Sequence, residues 1–269
     1  MRDRRSQTRC SAILVVLVLS AAAAFGLELK QKTRTAYDKY LSLAEKKIDA
    51  EQSGANFFWG DIAQQDDKLK RGEVVIEKGA LASTDAAQIP DGLVHHWSGF
   101  VFIPNVTLDK LLAFLEDYDH HQDYYKPDVA RSKLLQHDDD HFVALLRFVK
   151  KKVITVVLDT VHDAHYYRAD ATKAYSRSHT TRVNEVQNPN QANEQLLPPG
   201  QGGGYMWSMD TYWRFVQRDG GVYVRCDAIS LTRDVPAGLG WLIRPFITSI
   251  PRESLAATLN ATRNALTKR

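Results

Sequence analysis

The sequence predicts an α+β fold, a curved antiparallel sheet of about seven strands wrapped on a long C-terminal helix, with an N-terminal helical extension. Three observations lead there. Residues 204–233 read as two long strands joined at Asp219-Gly220-Gly221, where Asp-Gly supplies the positive backbone angles of a tight hairpin. Leu255, Leu259, Thr262 and Leu266 then recur at helical spacing, with Ala256, Ala257, Ala261 and Ala265 beside them. Between Leu93 and Val186 a strand, a helix and a run of strands succeed one another through short turns, which favours antiparallel neighbours.

The chain opens on a targeting segment. Arg2, Arg4, Arg5 and Arg9 precede an apolar run from Ser11 to Ala24, with small residues at Ala22, Ala24 and Gly26. This is the pattern of a secretory signal peptide. The run is shorter than the roughly 20 residues of a comfortable membrane span, and an uncleaved inner-membrane anchor through residues 11–25 is the alternative. Export places the protein in the periplasm or outside the cell. Residues 1–26 hold four of the 35 basic and one of the 32 acidic residues, so the remaining chain carries 31 of each. A neutral chain has no general pull toward nucleic acid, and no nucleic-acid partner is expected. Only Cys226 survives removal of the segment, so no intrachain disulfide can form. With 44 % hydrophobic residues, an apolar core must hold the fold.

Residues 27–90 read as an N-terminal extension, a helix plus short strands. Tyr37, Leu41, Ala44 and Ile48 form one stripe of a helix over Lys30–Gln52, and Ser53-Gly54 ends it. Phe57-Phe58-Trp59 is costly to leave in water, so the extension is expected to pack on the main domain. Residues 91–269 form that domain. Leu93 to Ile103 is an aromatic-rich strand stopped by Pro104. Thr107 suits a helix N-cap, and Leu108, Leu111, Leu112, Leu115 and Tyr118 supply the apolar face. Strands come next over 129–135, 141–149, 153–167 and 171–186. The Pro-, Asn-, Gln- and Gly-rich stretch 188–203 reads as a mobile rim loop. In the terminal hairpin, alternation puts Trp207, Met209, Trp213 and Phe215 on one face and Val222, Val224, Cys226 and Ala228 on the facing strand. Bulky side chains beside small ones make that face concave.

The chain resembles the START-like, or SRPBCC, superfamily with its Bet v 1-like helix-grip fold. The resemblance covers residues 90–269. It rests on Gly92-Leu93-Val94-His95-His96-Trp97 running to Phe102-Ile103-Pro104, on Leu115-Glu116-Asp117-Tyr118-Asp119 with Tyr124-Tyr125-Lys126-Pro127, on Tyr212-Trp213-Arg214-Phe215, and on Ser249-Ile250-Pro251-Arg252-Glu253-Ser254-Leu255. It is similar to an exported bacterial branch of unassigned activity. The resemblance implies a cavity between sheet and C-terminal helix that takes a lipid, sterol, polyketide-like or other hydrophobic molecule, with membrane proximity for exchange. It transfers no catalytic set.

Candidate ligand contacts are Trp207, Met209, Trp213, Phe148, Arg147, Arg182, Tyr212, Arg233 and Trp241. Apolar pockets orient ligands with a few polar groups, and an Arg suits a carboxylate or phosphate. Alternation turns Arg214 away from Trp213, so pairing with Asp227 on a solvent face competes with ligand binding there. Asp117, His120 and His121 would share one side of a helix, His137 and His141 flank three aspartates, and His162 and His165 are spaced like a ligand pair. Each lacks a visible third ligand, so neither metal nor cofactor is expected. No Gly-x-Ser-x-Gly elbow occurs, Cys226 reads as a packed thiol, and no catalytic residue is assigned. Two alternatives remain: a cavity enzyme of cyclase or hydrolase type, or a structural protein with a collapsed cavity. An inward acid or base in reach of an inward Tyr or Arg would mark the enzyme.

Overall fold

The computed structural model describes residues 28–54, 57, 62–84, 87–152, 154–234 and 240–267, the side chains of 240–246 excepted. The signal segment, Phe58 and Trp59 lie outside them. The elements in chain order are α1 (Gln31–Ser53), α2 (Asp66–Lys70), β1 (Val75–Lys78), β2 (Gly92–Pro104), α3 (Leu108–Glu116), a 3-10 turn (Tyr118–His120), α4 (His121–Tyr124), β3 (Val129–Asp138), β4 (His141–Lys151), β5 (Thr155–Arg168), β6 (Lys173–Gln187), β7 (Gln195–Leu196), β8 (Ser208–Arg218), β9 (Gly221–Arg233) and α5 (Gly240–Thr267).

All pairings are antiparallel, in the order β1-β2-β9-β8-β6-β5-β4-β3, with β7 on β6. The sheet is curved, and bulges in β3 and between β5 and β6 sharpen its bend. The count of nine exceeds the expected seven because the extension donates β1 to the edge and the 188–203 stretch donates β7. That stretch is pinned: Leu197 donates its N–H to Glu185 O at 2.8 Å, and Leu29 donates to Gly200 O at 2.9 Å. The β8–β9 hairpin has the expected two-residue turn, Asp219 at φ 56° and Gly220 at φ 75°. Thr107 Oγ1 accepts from Lys110 N at 3.3 Å, capping α3.

The two faces of the sheet are filled in different ways. On the inner face, Leu255, Leu259 and Leu266 of α5 join Val101, Ile103, Phe215, Val222, Val224 and Cys226 in one core. A Cβ on Gly99 would stand 2.6 Å from Leu259 Cδ1 and 3.0 Å from Leu255 Cδ2, so the absent side chain is what lets the helix settle on β2. The nearest backbone neighbours of α5 are β2, β1 and α4, not the central strands.

The outer face is covered by the extension. Tyr37, Tyr40, Ala44 and Ile48 of α1 pack on Tyr212, Ile229 and Leu231, while Phe57, Ile62 and Leu69 pack on Phe100, Phe102 and Tyr223. Polar contacts stud this layer. Tyr37 donates to Asp210 at 2.6 Å, Tyr212 to Glu45 at 2.8 Å, and Arg177 to Asp49. At its centre Arg214 meets Asp227 at 2.7 Å and Glu51 at 3.0 Å, and Arg225 meets the same two carboxylates. The Arg214–Asp227 pair is therefore real, but α1 takes the face expected to be solvated, and Arg214 is only 1 % exposed.

Burial raises the Asp227 pKa, and the Arg225 and Arg214 guanidiniums outweigh it, leaving the carboxyl at about 2. A depressed carboxyl stabilises the fold above its ordinary value of 3.8, and that contribution is lost as pH falls toward 2. Asp227→Asn should cost about 3–5 kcal/mol in urea unfolding at neutral pH, since it removes the fully buried carboxylate shared by two buried cations and leaves them Glu51 as the carboxylate in common. A loss under about 1 kcal/mol, the level of an exposed pair, would refute this role.

Candidate functional site

The inner face between β8 and β3 is where side chains gather without a helix directly upon them. β8 contributes Trp213, β4 Phe148, and β5 Thr160, His162 and Tyr166. The segment from α3 through α4 adds Phe114, Tyr118, His121 and Tyr125, positioned by the buried leucines of α3. Trp97, Phe114, Phe148, Tyr166, Met209 and Trp213 are each only partly buried. Core packing therefore leaves part of each of these side chains uncovered. Trp213 stacks on Phe215 at 6.2 Å between centroids, and Phe148 meets His162 edge-on at 6.1 Å.

The polar groups of this interior are paired. Tyr125 Oη and Thr262 Oγ1 lie 3.1 Å apart, which fixes α5 to α4. Tyr118 and Tyr166 hydroxyls lie 3.1 Å apart. His121 Nε2 donates to Leu115 O at 3.0 Å. Thr160 donates to Leu146 O at 3.0 Å, so its oxygen accepts from His162 Nε2 at 2.8 Å. Burial lowers both His121 and His162 to about 4, raises Tyr118 to about 12, and pushes Tyr125, Tyr166 and the Cys226 thiol up. At neutral pH these groups are uncharged. They can hydrogen-bond a polar handle on an apolar molecule, and they offer no buried ion to a charged one.

A cleft of about 540 Å3 opens where α5 passes the ends of β3, β4 and β5. Pro127, Val149, Val157, Ile250 and Ala257 give it an apolar floor, and Arg147, Lys150, Lys151 and Lys152 give it a basic rim. The rim is largely neutralised. Arg147 holds Asp159 at 2.6 and 2.8 Å and Glu194 at 3.0 Å, Lys150 pairs with Asp128, and Lys152 meets Glu253 at 2.6 Å.

The expected contacts divide. Trp213, Met209 and Phe148 lie on the inner face, and Arg147 lines the cleft. Trp207 does not share a face with Trp213. It precedes β8, so strand alternation does not reach it, and it packs against α1 in the outer layer. Tyr212 faces outward to Glu45. Arg182 is exposed. Arg233 is buried at the end of β9, over the Tyr205 ring at 5.7 Å. The side chain of Trp241 lies outside the described residues. His162 and His165 are no ligand pair: three residues apart on a strand, they point to opposite faces, one to Thr160 and the other to Asp163. Asp117, His120 and His121 do not converge either, since His120 bonds Asp117 at 2.7 Å while His121 turns inward. Thr160, His162 and Tyr166 were missed as interior groups, whereas Tyr118 lies inside as its place on the apolar helix face implied. The alternation of β5 around Thr160, His162 and Ala164 was the available signal.

No family model matches the chain, and no curated protein matches it. Solved structures with a similar fold include a STAR-related lipid transfer protein from Xanthomonas axonopodis, 19 % identical, covering 67 % of this chain and 96 % of that one at a TM-score of 0.45. The Zhui aromatase/cyclase from a Streptomyces species is 14 % identical, covering 64 % and 93 % at 0.45. The lipid transfer and protein localization domain of human StarD13 is 10 % identical, covering 77 % and 95 % at 0.44. The architecture is that of a helix grip by its own strand order, its register and the seat of α5: a curved antiparallel sheet with the long C-terminal helix on one face.

The buried imidazoles predict an acid-labile fold. His95, His96, His121 and His162 all sit at about 4 through burial, against an ordinary 6.5. Between those values the unfolded chain binds the extra protons. Stability is therefore full above 6.5 and falls toward 4, by up to about 1.4 kcal/mol per pH unit for each histidine. His179, raised by its bond to Asp210, acts in the opposite sense and only partly offsets the four. Urea midpoints measured across this window should fall with pH and fall less in His162→Gln. A flat profile would contradict the neutral interior.

Proposed function

We propose that the protein binds a hydrophobic small molecule, of lipid, sterol or polyketide-like character, between the inner sheet face and α5, and releases it unchanged. The observation that carries this is the partial exposure of Trp97, Phe114, Phe148, Tyr166 and Trp213 on a face whose helix sits over β1 and β2. Ring faces that core packing leaves uncovered are the surface an apolar guest would cover. The cleft beside Ile250 and Ala257 is the entrance, and its volume exceeds the roughly 300 Å3 that ligand pockets begin at. Covering a few hundred Å2 of apolar ligand at about 25 cal/mol per Å2 supplies several kcal/mol before ordering costs. The tyrosine and histidine pairs give a polar end its hydrogen bonds.

The geometry gives less support to an enzyme. Among the described residues, the inward polar pairs are Tyr–Tyr, Tyr–Thr and His–Thr, and the nearest carboxylate–Arg pair, Asp159 with Arg147, is a salt bridge at the cleft rim. Delivery beyond the cytoplasm, with exchange near a membrane, completes the proposal. No helix of the described residues is long and apolar enough to cross a membrane. Residues 1–26, basic and then apolar, are the segment assigned to export on their sequence pattern.

Native mass spectrometry of protein from its natural host should show a bound apolar mass. Trp213→Ala should weaken binding of that molecule about tenfold or more by removing its largest ring contact. An empty protein that also ignores a panel of fatty acids and sterols would overturn the reading. N-terminal sequencing of the same material should begin near Gly26. A chain retaining Met1 in the membrane fraction is the anchored alternative, and one retaining Met1 in the cytosol overturns export.

A further inference from the structure

The outer face of β4 and β5 carries a cluster that the ligand space does not use. His141, at the start of β4, lies directly across from His165 on β5, and Asp163 stands two residues away on the same face. The two imidazoles stack with centroids 4.3 Å apart and planes within 6°. Each presents Nε2 to a different oxygen of one carboxylate: His141 to Asp163 Oδ2 at 3.2 Å, His165 to Asp163 Oδ1 at 3.4 Å. The three ligand atoms lie within 4.8 Å of one another.

We propose that His141, Asp163 and His165 form a binding site for a divalent first-row transition metal ion. Metal–nitrogen and metal–oxygen bonds of about 2.0–2.2 Å at tetrahedral angles place neighbouring ligand atoms about 3.3 Å apart, which is the spacing of both histidine–carboxylate contacts. A plain ion pair accounts for the cluster less well. His141 Nε2 is shut off from solvent and makes no hydrogen bond although Asp163 is 3.2 Å away, so its axis passes beside the oxygen instead of through it. A cation in the gap between the three atoms would satisfy it once the two rings, parallel as they stand, turn about their Cβ–Cγ bonds to aim both Nε2 lone pairs at it. The second nitrogen of His165, Nδ1, lies 3.9 Å from Asp140 Oδ1, beyond hydrogen-bond length but near enough for that charge to favour a cation on the ring.

Two imidazoles and one carboxylate favour Zn2+, Co2+, Ni2+ or Cu2+ over Mg2+ or Ca2+, which prefer oxygen ligands. His141, Asp163 and His165 keep 26 %, 36 % and 38 % of their side-chain surface exposed. The remaining coordination positions therefore face solvent and take water or an external ligand. The site lies on the opposite side of the sheet from His162 and Trp213, so the two sites can be disabled separately.

The test is calorimetric titration of Zn2+ into untagged, chelator-stripped full-length protein, with Co2+ as a visible-absorption reporter. One saturable site is expected, weakened at least about tenfold in His141→Ala and in His165→Ala. Asp140→Asn, in an exposed turn where folding is not at stake, should weaken it about two- to fivefold through the lost charge. His120→Ala, at the other exposed histidine–aspartate contact, should change nothing, and Mg2+ should not compete. No saturable site tighter than about 1 mM would overturn the proposal, as would binding that survives the double variant His141→Ala/His165→Ala.

Discussion

The close approach of α5 to β2 at Gly99 is the constraint on which the inner face depends. Helix and sheet normally pack about 10 Å apart, with side chains filling the gap evenly. Here the missing Cβ lets Leu255 and Leu259 drop onto one strand near the edge, and Ile76 of β1 closes the contact from beside it. The helix is drawn to that side, and Tyr125 with Thr262 holds its far half to α4. What stays over β8, β6, β5 and β4 is a face with a roof but without a tenant helix. A larger residue at position 99 would lift the helix and redistribute that space.

The outer face is built on the opposite principle. It meets α1 through tyrosine hydroxyls, carboxylates and guanidiniums, with apolar contacts between them. Buried ion clusters contribute little net stability, since desolvation consumes most of the attraction. Their effect is on register. Glu45, Asp49 and Glu51 find Tyr212, Arg177 and Arg214 only if α1 lies in one orientation. The helix α1 therefore supports the sheet from behind, on the side away from α5.

Much of this was legible in the chain. The Asp219-Gly220 turn, the Thr107 cap, the helices α1, α3 and α5 and the strands β3 to β6 arise from local chemistry, because turn angles and caps involve residues within three or four positions. Sidedness was legible where alternation held, as for Trp213 and Phe148. It failed at Trp207, where the glycine-rich approach had not yet become strand. At Arg214 the outward direction was right, but the cover came from α1, far back in the sequence; Tyr212, expected to touch ligand, faces outward beside it. The cluster of His141, Asp163 and His165 is likewise a product of register: β4 and β5 run antiparallel, and only pairing shows which residues face each other. Linear spacing suggested His162 with His165, a helical neighbour relation that a strand reverses.

The central claim is that unfilled apolar space lies between the inner sheet face and α5, beside Trp213. A crystal of the ligand-free protein pressurised with xenon tests it directly, because apolar cavities take up xenon and packed cores do not. The account predicts xenon density within contact of Trp213 and Phe148, with little movement of α5. A structure in which those rings close on one another and no xenon enters would contradict it.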